Sequence, residues 1–142
     1  MLISNLKSQL IRDEGVVPYA YADSLGFLTI GVGRLIDKRK DGKLSDIEIE
    51  FLLQNDINDK TKELVTALPW VVQLSDVRQG VLLNMSFQLG VEGLLKFKNT
   101  LQLIKDGHYD MASSGMLKSL WAQQTPERAK RLSKQMSTNE WQ

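Results

Sequence analysis

The sequence predicts an α+β fold, with a small β-sheet lobe and a larger helical lobe joined by a long helix. Three observations predict it. The apolar period is helical up to residue 14, gives way to short β-like runs between Tyr19 and Gly33, and turns helical again from Ser45 onward. Ser45 followed by Glu48 reads as a capping box that opens the longest uninterrupted helical pattern before the second half, and Pro69 stops it. A chain of 142 residues, 42% hydrophobic, has the size for one compact unit or for two small lobes sharing a helix.

Each element has its own signal. Leu2, Ile3, Leu6, Leu10 and Ile11 form an amphipathic stripe that ends at Glu14, and Gly15 sits where a helix C-cap glycine belongs. Two β-like runs then flank Asp23-Ser24-Leu25-Gly26. A two-residue loop would pair Asp23 with Gly26 and turn Thr29 away from it. A three-residue loop, Ser24-Leu25-Gly26, uses the glycine at the left-handed position and pairs Asp23 with Phe27 and Tyr21 with Thr29. The second register is preferred. It sets Asp23, Tyr21 and Thr29 on one face, with diagonal neighbours roughly 7–8 Å apart and space for a water between carboxylate and hydroxyl.

A charged loop at 37–43 follows, then helix 46–66, carried by Ile47, Phe51, Leu52, Ile57 and Leu64. From Ser75 a further helix runs through Val77, Val81, Leu82, Met85 and Leu89 and closes at Gly90. Shorter helices are expected at 91–97, 99–106 and 109–118, with Gly107 as a break. Thr125-Pro126 reads as N-cap and N1 of a last helix reaching about Lys134. The expected organisation is a single domain over 1–142. Its small lobe covers about 14–45, its connecting helix 46–66, and its helical lobe 70–142 together with the N-terminal helix.

Composition excludes several function classes. The chain has no cysteine, so no disulfide or thiolate metal site supports it. Its 18 basic and 17 acidic residues leave a net charge of +1, too little for a global field that would bind nucleic acid or a membrane surface. The apolar runs are too short to span a bilayer, and the N-terminus lacks the pattern of an export signal. Charge is uneven: Lys118, Arg128, Lys130, Arg131 and Lys134 stand against Glu127 alone. A solvated helix face is the simpler reading of that stretch, and attraction to an anionic polymer is the other.

Glu14 and Asp23, nine positions apart, are the candidate acid–base pair, one on a helix end and the other on a hairpin. Alone, such a pair is ordinary surface charge. The wider pattern is more specific. R-D-E-G at 12–15, Y-A-D at 21–23 and G-F-L-T-I-G-V-G at 26–33 are followed by N-M-S-F-Q-L-G at 84–90, F-K-N-T-L at 97–101 and L-K-S-L-W-A-Q-Q-T-P-E-R-A-K-R at 117–131. In that order, and over most of its length, the chain resembles the phage-type lysozymes, the muramidase endolysins of the T-even phage family.

The resemblance implies a lysozyme-like fold that hydrolyses the β-1,4 bond between N-acetylmuramic acid and N-acetylglucosamine in peptidoglycan. It implies Glu14 as general acid, Asp23 as second carboxylate, Thr29 as third catalytic residue, and Leu35, Phe87, Gln88 and Thr100 as substrate-binding residues. Trp121 is expected as a core anchor beneath them. Inversion is expected, because a threonine that seats water needs the wider carboxylate spacing of inverting enzymes. No metal or organic cofactor is implied. The implied partners are peptidoglycan and a separate holin, with no nucleic acid, no stable membrane insertion and a monomeric state. The implied setting is synthesis in the host cytoplasm followed by action on the wall in the periplasm. A lytic transglycosylase and a non-catalytic peptidoglycan-binding module are the rival readings.

The chain departs from the family at four points. Arg34 stands where a histidine is usual, Gly115 where the T-even type has a polar amide, the 34–45 connection is shorter, and the net charge is lower. An acid of helix 46–66 is expected to receive Arg34, and Asp56 is the choice.

Overall fold

A computed structural model describes residues 3–142, which leaves Leu2 of the first apolar stripe outside the described residues. The chain divides into two compact units, Met1–Leu52 and Leu53–Gln142. The fold is α+β, with seven α-helices and one three-stranded antiparallel sheet among the described residues.

In the first unit, α1 (Ile3–Glu14) ends as its glycine predicts: Gly15 takes φ +76° and donates its N–H to the Ile11 carbonyl at 2.9 Å. The sheet is built from β1 (Val17–Ala22), β2 (Leu28–Gly31) and β3 (Arg34–Leu35) in the order β1-β2-β3. It is wider than the expected 19–33 span, since the chain reverses through Val32-Gly33 and Arg34-Leu35 returns as a third strand. A two-residue strand carries no period, so only its partner reveals it. A 3-10 turn over Lys38–Lys40 leads to α2 (Asp46–Ala67), within which the division between the units falls.

The capping box that opens α2 forms in both directions. Ser45 N–H donates to Glu48 Oε1 at 3.0 Å, and Glu48 N–H donates to Ser45 Oγ at 3.3 Å. Sheet and first α2 turns flank an open apolar cavity of about 800 Å³, lined by Ile30, Ile36, Leu44, Ile47 and Phe51 among others.

The second unit is helical. A 3-10 turn at Pro69–Gln73 precedes α3 (Asp76–Leu95), which Ser75 caps from its Oγ. Gly90 breaks α3 with φ 72° and ψ 161°, so the helix closes where the sequence says and restarts at once. There follow α4 (Lys98–Lys105), α5 (Tyr109–Leu117), α6 (Leu120–Gln124) and α7 (Pro126–Thr138). The five-residue α6 was not expected, because one turn shows no period. Thr125 precedes Pro126 as expected but does not cap α7; its hydroxyl donates to the Trp121 carbonyl at 3.1 Å.

α7 packs on α3, α5 and α6, and α5 packs on α4. Leu82, Met85, Leu94, Ile104, Met116 and Met136 are fully buried there, each contributing about 1.5–3 kcal/mol. Arg78 closes the bundle by donating Nε to the Met136 carbonyl at 2.9 Å, with its guanidinium 3.5 Å from the Tyr109 ring centroid.

Candidate active site

Glu14 is the last residue of α1, where the helix stops and the backbone turns toward β1. Its carboxylate rests on Gly33. A Cβ built at Gly33 would stand 2.8 Å from Glu14 Oε2, 3.0 Å from Cδ and 3.2 Å from Cγ. Gly33 also takes φ +66°, a conformation costly to any residue with a Cβ. One glycine thus serves two needs: it turns the chain into β3 and leaves the volume that the carboxylate fills. Among the described residues of this unit nothing donates a hydrogen bond to Glu14.

Asp23 lies on the hairpin in the preferred register. Its N–H donates to the Phe27 carbonyl at 2.8 Å, Tyr21 pairs with Thr29, and Gly26 occupies the left-handed position at φ +84°. The Asp23 side chain helps to make the turn. Oδ1 accepts the N–H of Leu25 at 2.9 Å and of Phe27 at 2.8 Å, leaving Oδ2 without a hydrogen bond among the described residues of the unit.

Thr29 is 5% exposed and donates its hydroxyl to the Phe27 carbonyl at 3.1 Å. With its one proton committed, Thr29 offers a water only an acceptor. β3 adds Leu35 opposite Thr29, so Tyr21, Thr29 and Leu35 form one row across the sheet. Residues directly opposite share a face. Leu35 therefore joins the face of Thr29, whereas Ile30 and Arg34 turn to the other side. The large apolar cavity lies on that other side, where Ile30, Arg34 and Ile36 line it. It is an open groove with Ile47 and Phe51 exposed along it, and it lies away from the face that carries Thr29.

Two ion pairs support this sheet. The first corrects the expected partner of Arg34. Arg34 grips Glu48 through Nη1–Oε2 at 2.5 Å and Nη2–Oε1 at 2.8 Å, so the acid is Glu48 and not Asp56. Asp56 stands eight residues further along α2, about 12 Å at 1.5 Å per residue. Arg34, followed by the capping contacts with Ser45, holds the Glu48 carboxyl down from 4.5 to about 2.

Sequence reasoning missed the second pair. Asp37 is 5% exposed and accepts from Arg39 Nη2 at 2.7 Å, Arg39 Nε at 3.0 Å, Arg39 N–H at 2.9 Å and Leu28 N–H at 3.2 Å. Arg39 also donates to the Gly26 carbonyl at 3.2 Å and lies 5.1 Å from the Phe27 ring centroid. The pair therefore holds the Asp23 hairpin at its turn. Arg39 is the first cause of an Asp37 carboxyl held far below the usual range. The D-x-R spacing was visible, but nothing in the sequence said that the loop folds back onto the turn.

The second unit carries the other candidate residues. Trp121 is 3% exposed, the core anchor expected, and donates its indole N–H to Gln88 Oε1 at 2.9 Å. That bond leaves the Gln88 amide N–H₂ free for a ligand and fixes where it points. Phe87 lines a cavity of about 400 Å³ with Leu53, Ile57, Leu83 and Trp141. Thr100 lines a different one of about 390 Å³, so these two residues are not brought into one pocket. Within the basic stretch, Arg128 is taken by Asn84, donating Nε and Nη2 to Oδ1 at 2.8 and 2.6 Å, and Lys130 pairs with Glu127 at 3.2 Å.

Comparison with known proteins identifies the family. The family model described as Phage lysozyme matches residues 12–137. Two proteins of Dictyostelium discoideum, Probable T4-type lysozyme 1 and Probable T4-type lysozyme 2, are 29% and 31% identical, with 92% of each chain covered. Peptidoglycan hydrolase gp36 of Pseudomonas phage phiKMV is 27% identical over 95% of this chain and 15% of its own.

Proposed function

Because the chain belongs to the phage lysozyme family, and so is a lysozyme-type glycoside hydrolase, we propose that Glu14, Asp23 and Thr29 cleave the β-1,4 bond between N-acetylmuramic acid and N-acetylglucosamine with inversion. The observation that carries the reading is the pairing that sets Thr29 between Tyr21 and Leu35, with Asp23 two residues along the same face.

The chemistry follows from the free valences. Glu14 gives its proton to the glycosidic oxygen as the bond to the anomeric carbon breaks. The oxocarbenium that forms is met by a water held on the opposite face. That water donates one proton to Asp23 Oδ2 and one to Thr29 Oγ1, which leaves an oxygen lone pair for attack. Its proton passes to Asp23 as the new bond forms. Asp23 and Thr29 support this role because Asp23 Oδ1 and the Thr29 proton are already spent on the hairpin, leaving an acceptor on each. Leu35, Phe87, Gln88 and Thr100 are the proposed saccharide-binding residues. The proposed setting is host lysis by a monomer that is made in the host cytoplasm and reaches the wall through a holin-type pore.

The test is Glu14→Gln, assayed by clearing of outer-membrane-permeabilised cells. General acid catalysis is worth ~10²–10⁴, and a loss of that size is expected. NMR of the fresh product should show the anomer opposite to the substrate. A folded Gln variant keeping more than a tenth of the activity would overturn the role of Glu14. Anhydro-muramic ends would make the enzyme a lytic transglycosylase.

A further inference from the structure

We propose that Lys40 forms an electrostatic subsite at the end of the face that carries Asp23 and Thr29, and that it takes a carboxylate borne by the muramic acid of the substrate. This rests on the reading above that peptidoglycan is the substrate. That polymer carries such a group either on the lactyl substituent of a bare muramic acid or on the stem peptide.

The loop that bears Lys40 is tightly determined. The Asp37 carbonyl accepts the N–H of Lys40 at 3.0 Å and of Gly42 at 2.9 Å, and Asp41 closes the turn in the left-handed region at φ 61°. Gly42 passes so near the preceding backbone that a Cβ there would stand 2.5 Å from Ile36 C and 2.6 Å from Asp37 N. Such a loop leaves the Lys40 backbone few alternatives. Phe27 then places the side chain, with the ammonium 4.8 Å from its ring centroid. Phe27 is the hairpin partner of Asp23, whose N–H it accepts at 2.8 Å, and it stands two residues before Thr29. Direct opposition and alternation put it on the face of both. The Lys40 ammonium therefore adjoins the row that holds Asp23.

Two cations share this ring, and they differ in what is left of their charge. Arg39, 5.1 Å from the centroid, is paired with the buried Asp37 through Nη2 at 2.7 Å and Nε at 3.0 Å. Lys40 pairs with no acid among the described residues of the unit. An acid partner would hold an ammonium and cancel its charge together. A ring face holds it through the quadrupole and takes none of its three N–H donors. Lys40 is thus positioned with charge and donors unspent, and carboxylates are the groups of peptidoglycan that use both. Lys38 is the contrast. It stands on the same exposed turn, also without an acid partner among the described residues of the unit, but no aromatic ring there holds it. A merely solvated run of charge would make Lys38 and Lys40 equivalent.

The experiment compares wild type with Lys40→Gln and Lys38→Gln, which remove the same charge from the same loop. New reducing ends are followed at low salt on native wall, on wall whose carboxylates have been converted to neutral amides, and on glycan strands stripped of stem peptide by an amidase. The stripped strands keep the lactyl carboxylate. On native wall, Lys40→Gln should raise KM roughly three- to fivefold with kcat little changed, the scale of one exposed ion pair lost from ground-state binding. Lys38→Gln should stay near wild type, and Lys40→Arg, which keeps the charge, should recover most of the loss. On amidated wall all the proteins should coincide. A Lys40→Gln gap that persists on stripped strands assigns the lactyl carboxylate, and a gap confined to native wall assigns the stem. Both lysines are exposed, so Tm should hold in every variant. Equal losses in Lys38→Gln and Lys40→Gln would mean general attraction to an anionic wall and would overturn the subsite. An unchanged KM in Lys40→Gln, or a gap that survives amidation, would overturn it too. If wild type cleaves none of these substrates, the reading of peptidoglycan as substrate has failed and the subsite falls with it; cleavage without the gap removes the subsite alone.

Discussion

Gly33→Ala tests whether the site depends on the seat of the Glu14 carboxylate. Two penalties follow from the geometry. Alanine at φ +66° costs about 1–2 kcal/mol, the ordinary penalty for a Cβ in the left-handed region. Its methyl would also lie 2.8 Å from Glu14 Oε2, and an ordinary contact begins near 3.4 Å. The side chain has to retreat by about 0.6 Å at least, and its flexible end makes that retreat cheap in stability. It is not cheap in rate, since a 1 Å misplacement can cost ~10²-fold. Gly31→Ala is the control, because Gly31 has nearly the same φ, +68°, and nothing within 4 Å of its missing Cβ. Both variants should lose about 1–2 kcal/mol in denaturant unfolding. In the clearing assay, per folded molecule, Gly33→Ala should fall by roughly 10–100-fold while Gly31→Ala stays near wild type. Equal loss in both variants, or full activity in Gly33→Ala, would refute the reasoning.

Other outcomes follow from the polar contacts. Arg39→Ala removes the donors to Asp37 and Gly26, so the Phe27 amide should exchange faster and kcat should drop, by less than the ~10² of a full 1 Å displacement; unchanged exchange and kcat would show that the pair does not hold the hairpin. The Glu48 carboxyl is depressed on folding, so the stability it lends is present above its ordinary 4.5 and disappears as pH falls toward about 2. The Tm gap between wild type and Arg34→Ala should therefore narrow over that window, and a gap constant down to pH 2 would contradict it. Trp121→Phe loses the bond to Gln88 and part of a buried ring, and a denaturant titration should read a loss of about 1–3 kcal/mol. KM should rise as well if Gln88 needs that bond to stay aligned.

What the sequence could determine was local. The Gly15 cap, the Asp23–Phe27 hairpin register, the Ser45–Glu48 capping box and the break at Gly90 all involve residues no more than about four apart, where chain geometry leaves few alternatives. The placement of Asp23 and Thr29 on one face was legible for that reason. Only the tertiary structure decided which distant groups meet. Arg34 takes Glu48 fourteen residues on, Asp37 reaches Leu28 nine residues back, and Trp121 reaches Gln88 across thirty-three. Such pairings depend on how turns and helix rotations accumulate along the chain, and an error of two helical turns suffices to name Asp56 in place of Glu48. The contact of Glu14 with Gly33 belongs with these, because a glycine's sequence position cannot tell whether the space it leaves is empty, as at Gly31, or filled by a carboxylate.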